Sequence, residues 1–189
     1  METYGDREIS FDPVRFRSAL GRFASGVTVV TAQYEDQTHG MTANAFVSVS
    51  LTPPLALVSL DNRSYMHRLL PVVGRYGVSV LSEQQEKLSN HFAGRTAEGL
   101  RIDFVRRRGL PLLDGALAYF VLRVVNIHPA GDHTLYVGEV EHFEARDDRP
   151  LLFYAGRYQQ LRAERIVSAL WPQDEFSLFS IGNIDPPTT

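Results

Sequence analysis

Residues Met41 to Leu51 read MTANAFVSVSL, followed at once by Thr52-Pro53-Pro54 and by Leu55 to Leu60, LALVSL. In the first run the odd positions hold Met41, Ala43, Ala45, Val47, Val49 and Leu51. The even positions hold Thr42, Asn44, Phe46, Ser48 and Ser50. Side chains alternate across a strand with period two, so this run predicts one strand with an apolar face and a face of hydroxyl and amide groups. The paired prolines interrupt a ladder and predict a turn. LALVSL, almost wholly apolar, predicts a buried strand after it.

The flanking sequence supplies the rest of the architecture. Asp12-Pro13 is an N-cap followed by proline in a first helical turn, and Phe16, Ala19, Leu20 and Phe23 then recur with helical spacing, closed by Gly26. Val27 to Tyr34 is β-branched and predicts a strand with its turn at Glu35-Asp36-Gln37. Asp61 to Ser64 is a polar corner leading into a short helix carrying Met66, Leu69 and Leu70, ended by Pro71. Tyr76 to Leu81 predicts a strand. Ser82-Glu83-Gln84-Gln85 fits a capping box for a helix that ends near Phe92, with Gly94 as its stop. Residues 95–115 read as an irregular excursion. Leu117 to Ile127 and Thr134 to Ala145 predict long strands joined by His128 to His133, and Leu151 to Tyr158 a last strand before a helical tail. Strands joined by short turns dominate, and the alternation of a parallel βαβ series is missing. The chain is therefore mainly β with a few helices, an antiparallel closed or nearly closed barrel in one domain.

Composition narrows the function. The chain has 189 residues, 44% hydrophobic and 22% charged, with a formal net charge of −3. That suits a globular domain and argues against a general nucleic-acid binder. With no cysteine, thiolate metal sites, disulfides and cysteine nucleophiles are excluded. Only Lys87 is a lysine, so a bound phosphate is expected to meet arginine forks, hydroxyls or backbone N–H groups. The opening METYGDREISFDP lacks the basic-then-apolar order of a secretory signal, and the expected location is the cytoplasm. Neither GxGxxG nor GxxxxGK[ST] occurs, which removes the Rossmann and P-loop modes of nucleotide binding.

On pattern alone the Thr42, Asn44, Ser48, Ser50 face is either the wet side of a half-exposed strand or a line of polar groups presented to a planar ligand. The Asp61 to Tyr65 corner is either a turn and helix cap, or an oxyanion site built from Ser64, Arg63 and helix N-terminal N–H groups, with Arg95 as a second cation. His133 lies in Gly131-Asp132-His133 at a hairpin mouth, and no HxH or HExxH spacing pairs it with His91, His128 or His142, so no metal is expected. No acid–base dyad or GxSxG elbow is present.

Three runs resemble the short-chain flavin reductases, the reductase components of two-component flavin-dependent monooxygenases: Phe16–Thr31 (FRSALGRFASGVTVVT), His39–Leu55 (HGMTANAFVSVSLTPPL) and Tyr76–Phe92 (YGVSVLSEQQEKLSNHF). Leu117-Ala118-Tyr119, Gly131-Asp132-His133-Thr134 and Leu151–Tyr158 (LLFYAGRY) extend the resemblance over residues 12–162, leaving 163–189 as a C-terminal tail. The resemblance implies an FMN-binding split β-barrel, usually a homodimer, that reduces FAD or FMN with NADH or NADPH and supplies reduced flavin to a separate monooxygenase. By position it places Thr42, Ala43, Asn44, Ala45, Ser48, Val49 and Ser50 beside the isoalloxazine. It places Ser59, Leu60, Asp61, Arg63, Ser64 and Tyr65 at the ribityl chain and phosphate, and His91, Phe92 and Arg95 at the rest of the flavin site. His133, as the catalytic residue, and Phe153, Tyr154, Ala155 and Gly156 fall on the nicotinamide side. Asn44-Ala45 departs from the paired hydroxyl residues of many relatives. An FMN-dependent oxidase on the same barrel and a non-catalytic flavin- or haem-binding sensor are the alternatives.

Overall fold

In the computed structural model, residues 12–96 and 98–161 are described. They form α1 (Pro13–Leu20), β1 (Ser25–Gly26), β2 (Thr28–Tyr34), β3 (Gln37–Ala43), β4 (Phe46–Leu51), β5 (Pro54–Asp61), α2 (Tyr65–Val73) and β6 (Arg75–Val80). There follow α3 (Glu86–Phe92), β7 (Phe104–Arg107), β8 (Leu110–Leu113), β9 (Ala118–Ala130), β10 (His133–Ala145), β11 (Leu152–Tyr154) and β12 (Arg157–Gln159). Seven strands pair antiparallel in the order β3-β2-β6-β9-β10-β5-β4.

The two edge strands of that sheet, β3 and β4, are consecutive in the chain and are joined only by Asn44 and Ala45. Such a link spans about 11 Å at most, whereas the edges of a flat seven-stranded sheet stand about 29 Å apart. The sheet must therefore curl until its edges meet. The Ser59 N–H donates to the Ala45 carbonyl at 3.0 Å and stitches that corner. Elsewhere β3 keeps one ladder neighbour, β2, which leaves the barrel split along the outer edge of β3.

Both faces of the curled sheet are covered. The interior holds Val30, Ala43, Val58, Leu60, Tyr76, Leu122 and Tyr136, and α2 closes it with Met66, Leu69 and Leu70. On the outside, Val27, Val29, Leu81 and Leu151 pack under α3 and the β11–β12 hairpin. Leu110, Leu112 and Val121 pack around the β7–β8 hairpin. This double covering explains why residues 28 to 32 of β2 are buried without interruption.

The structure corrects several sequence expectations. The run Met41–Leu51 is two strands, not one: its polarity changes phase at Asn44-Ala45, so that Met41, Ala43 and Phe46 all belong to the interior. A bulge between Ser48 and Ser50 shifts the register of β4 again. The first helix stops at Gly21 rather than Gly26, and Leu20 and Phe23 of its apolar stripe are 60% and 82% exposed. The 95–115 segment contains the β7–β8 hairpin. The long strands run on to Ala130 and His133, leaving a turn of only Gly131-Asp132. Leu151–Tyr158 is a hairpin turned at Ala155-Gly156, both at positive φ. The expected helical tail lies outside the described residues.

Pro71 sits inside α2, which continues to Val73 and ends on Gly74 in the left-handed region, φ 67°. Proline lacks the N–H that would bond the carbonyl four residues back. That carbonyl belongs to His67, and the Tyr136 hydroxyl donates to it at 2.8 Å. His67 Nδ1 lies 2.8 Å from the same hydroxyl, which has a single proton, so the ring donates to it as the Nδ1–H tautomer. Burial raises the Tyr136 pKa, keeping the hydroxyl protonated as this role requires. Tyr136→Phe is expected to lower stability by about 1–3 kcal/mol through the stranded carbonyl, a fall of roughly 2–12 °C in Tm, measured by thermal unfolding.

Candidate functional site

The split brings chemistry-bearing residues together in two groups, with the edge of β3 running between them. At one end Thr42, Asn44, Arg95 and Phe153 line a cavity of about 200 Å³ with Ser89, Asn90 and Tyr158. The Thr42 hydroxyl donates to the Ser89 carbonyl at 2.7 Å, and the Ser89 and Tyr158 hydroxyls lie 2.8 Å apart. These bonds fix α3 and β12 against the edge of β3. Gly40 permits the approach, because a Cβ there would lie 2.5 Å from the Phe92 ring. Asn44 and Ala45 also face a larger cavity, about 610 Å³, walled by Leu20, Phe23, Phe46 and Val47.

At the other end β5 runs into the Asp61–Ser64 corner and the start of α2. The Ser64 side chain caps α2 by accepting from the His67 N–H at 3.1 Å, which leaves its own proton free to donate outward. Arg63 donates to both Asp61 carboxylate oxygens, at 2.7 Å from Nη2 to Oδ2. The β9–β10 turn is fastened here, since the Asn62 N–H donates to the Asp132 carbonyl at 3.0 Å and the Thr134 hydroxyl donates to Asn62 Oδ1 at 2.7 Å. His133 stands opposite Asp61 in the ladder, and its Nδ1 is 2.7 Å from Asp132 Oδ1. The structure thus places His133 with the Asp61–Ser64 corner, and Phe153 with Thr42 and Arg95.

The remaining expected site residues divide by exposure. Ser59 and Tyr65 border the corner, and the Tyr65 ring is flanked by His39, 4.9 Å between centroids, and by the Arg68 guanidinium at 5.5 Å. Leu60 and Ala43 turn their side chains into the core and offer only backbone groups. The Ala43 carbonyl is already taken by the Thr28 hydroxyl at 2.6 Å. Ser48 and Val49 are exposed on β4, and the Ser50 hydroxyl oxygen accepts from the Thr52 N–H at 3.2 Å. Tyr154, Ala155 and Gly156 reach the surface, the last two beside α1. Sequence reasoning missed His39, Arg68, Ser89 and Tyr158. Each lies within or beside a run already singled out, but only the curled sheet shows that they meet.

A planar, polar, anionic ligand suits this donor set. Buried His91 Nδ1, next to Phe92, and buried Ser25 Oγ, beside Asn44, both lack a hydrogen-bond partner among the described residues. Such groups call for a partner. The corner supplies hydroxyl, helix N-terminal and guanidinium donors for a phosphate, and the Thr42–Ala45 end supplies amide, hydroxyl and aromatic surface for a ring.

Comparisons with known proteins agree with that donor set. Residues 20–162 match the model of the flavin reductase like domain. An NADH-dependent flavin reductase of a Rhodococcus species is 52% identical over 163 residues, 85% of this chain and 93% of that protein. The reductase component of a 4-hydroxyphenylacetate 3-monooxygenase from Thermus thermophilus is 43% identical over 77% of this chain and 95% of its own. Among solved structures, the flavin reductase PheA2 in its native state superposes with a TM-score of 0.79 at 44% identity, covering 80% of this chain and 99% of that one. The Streptomyces globisporus NADH:FAD oxidoreductase SgcE6, in complex with NAD and FAD fragments, gives a TM-score of 0.76 at 36% identity, covering 81% and 94%.

The fork from Arg63 holds the Asp61 carboxyl well below the usual carboxylate range. A group so depressed stabilises the fold above its unfolded pKa and loses that contribution only as pH falls through the folded one. Asp61 is therefore expected to remain ionised at about pH 3.8, the ordinary aspartate value. Arg63→Gln, which removes the fork but keeps the residue-63 N–H bond to Asp61 Oδ1 at 2.8 Å, should raise its midpoint toward that value, as read by carboxyl NMR titration.

Proposed function

The chain belongs to the flavin reductase like family, and on that premise we propose that it is an NADH:flavin oxidoreductase supplying reduced flavin to a separate monooxygenase. The observation that carries this reading is the free edge of β3, which joins a ring-sized cavity at Thr42 and Asn44 to an anion-binding corner at Asp61–Tyr65. Flavin, when bound, supplies the redox chemistry by taking two electrons from the reduced nicotinamide ring. The chain's own contribution is binding and alignment, which accounts for the absence of an acid–base dyad in the sequence.

Thr42, Asn44 and Arg95, with the unpaired backbone of β3, border the flavin ring, and Phe153 closes the cavity against it. Ser64 and the first N–H groups of α2 hold the flavin phosphate, with Arg63 kept at the corner by Asp61. Asp132 fixes His133 at the corner: its carboxylate accepts from Nδ1–H, which leaves Nε2 as an acceptor for the nicotinamide nucleotide. FAD and FMN are both substrates by this scheme, because the corner reads the phosphate they share.

A homodimer completes the molecule. Leu20, Phe23 and Val47 are 60%, 82% and 54% exposed around one cavity, an apolar surface that a second copy would cover. Its wall includes Asn44 and Ala45, so the partner would border the flavin site. The protein acts in the cytoplasm in this reading, in keeping with a chain free of cysteine and with no helix, among the described residues, long and apolar enough to cross a membrane.

Purified, flavin-free protein is expected to oxidise NADH only on addition of FAD or FMN, followed at the nicotinamide absorbance. Equal rates with and without flavin would remove the assignment. His133→Ala is expected to raise the NADH KM about tenfold, the scale of one lost hydrogen bond, with flavin affinity unchanged in fluorescence titrations.

A further inference from the structure

A cavity of about 540 Å³ lies beside α1, outside the two groups of site residues. Arg17 and Arg22 line it, and its opposite wall is the Ala155-Gly156 turn. The Ala155 N–H donates to the Gly21 carbonyl at 2.8 Å, so the turn and the end of α1 form one unit. Ala155 and Gly156 have φ of 49° and 78°, and a Cβ built on Gly156 meets nothing within 4 Å. The turn therefore presents nearly bare backbone to open space.

The two guanidiniums lack partners, as do those of Arg15, Arg95 and Arg157 among the described residues. Arg63, Arg75, Arg107 and Arg123 each meet a carboxylate. Among the described residues neither Arg17 nor Arg22 has a side-chain hydrogen bond or ion pair, and no carboxylate lines the cavity. The C-terminal dipole of α1 accounts for one cation in its last turn, Arg17, but Arg22 lies beyond the helix. Two guanidinium forks facing one cavity suit an anion with two phosphoryl groups. The cavity is also within reach of the ring site: Phe153 lines the Thr42–Asn44 cavity, and Ala155 follows about 7 Å further along the hairpin.

We propose that Arg17 and Arg22 form a subsite for the diphosphate bridge of a dinucleotide. This rests on the flavin reductase reading, in which NADH and FAD both carry such a bridge. The geometry favours NADH, because the flavin phosphate already has the Ser64 corner and the cavity adjoins the Phe153–Gly156 hairpin.

The test compares wild type with Arg17→Gln, Arg22→Gln and the double variant, using circular dichroism to establish that each folds. Rates are measured with NADH and with 1-benzyl-1,4-dihydronicotinamide, which has the reactive ring but no diphosphate, and FMN as acceptor in both. Dissociation constants for FAD and FMN are measured by fluorescence. The expected result is a rise of at least about tenfold in the NADH KM of the double variant, with the benzyl reductant and FMN binding unchanged. A tenfold loss of FAD affinity alone, with FMN and NADH unaffected, would support the subsite and assign the bridge to FAD. NADH and FAD parameters all within about twofold of wild type, or NADH and the benzyl reductant failing together, would overturn it. A wild-type protein that reduces flavin with neither reductant would instead overturn the functional reading, and the dinucleotide assignment with it.

Discussion

The fold depends on a covalent constraint of two residues. Asn44 and Ala45 tie the two edges of a seven-stranded sheet together, and the sheet has to curl to satisfy them. An exposed strand edge is a row of unpaired backbone donors and acceptors that ordinarily invites aggregation. Here the edge of β3 is partly shielded by side chains: Tyr65 against His39 at one end, Phe92 over Gly40 and Thr42 bonded to Ser89 at the other. What remains between these covers is a polar backbone edge beside a cleft, which a planar ligand rich in donors and acceptors can satisfy.

The second determinant is the anchoring of α2. Met66, Leu69 and Leu70 drive it into the barrel interior, each stabilising by about 1.5–3 kcal/mol through burial. Tyr136 takes the place of the N–H that Pro71 lacks, so a helix with proline in it keeps its last turn. The N-terminus of that helix points its N–H groups and Ser64 at the corner where β5 ends and the β9–β10 turn is fastened. Interior packing and the polar corner are in this way two ends of one helix. The curling of the sheet sets where that helix stands relative to Thr42 and Asn44.

Much of this was legible in the sequence because local signals and tertiary structure agree. The β-branched run after Val27, the capping box at Ser82, where the N–H donates to Gln85 Oε1, and the N-cap at Asp12 all form as read. The failures share a physical cause. Period-two alternation through Met41–Leu51 conceals a break at Asn44-Ala45, because a two-residue corner and a bulge each shift the phase without introducing proline or glycine. Pro71 reads as a stop only because the compensating Tyr136 hydroxyl comes from a distant strand. The motif around His133 names the residue, but only the β5–β10 register shows that it stands opposite Asp61. The candidate site residues are legible as short runs. Their division into a cavity at Thr42 and Asn44 and a polar corner at Ser64 is a property of the split, which no local window contains.

The central claim is that flavin lies along the split, from the Thr42–Asn44 cavity to the Ser64 corner. The most direct measurement is a titration of isotopically labelled protein with FMN, followed by amide chemical shifts. The account predicts the largest perturbations at residues 39–45, 59–65 and 90–95, with the β7–β8 hairpin unaffected. Perturbations centred on that hairpin or on the exposed face of β9, with β3 and the Ser64 corner unmoved, would contradict it.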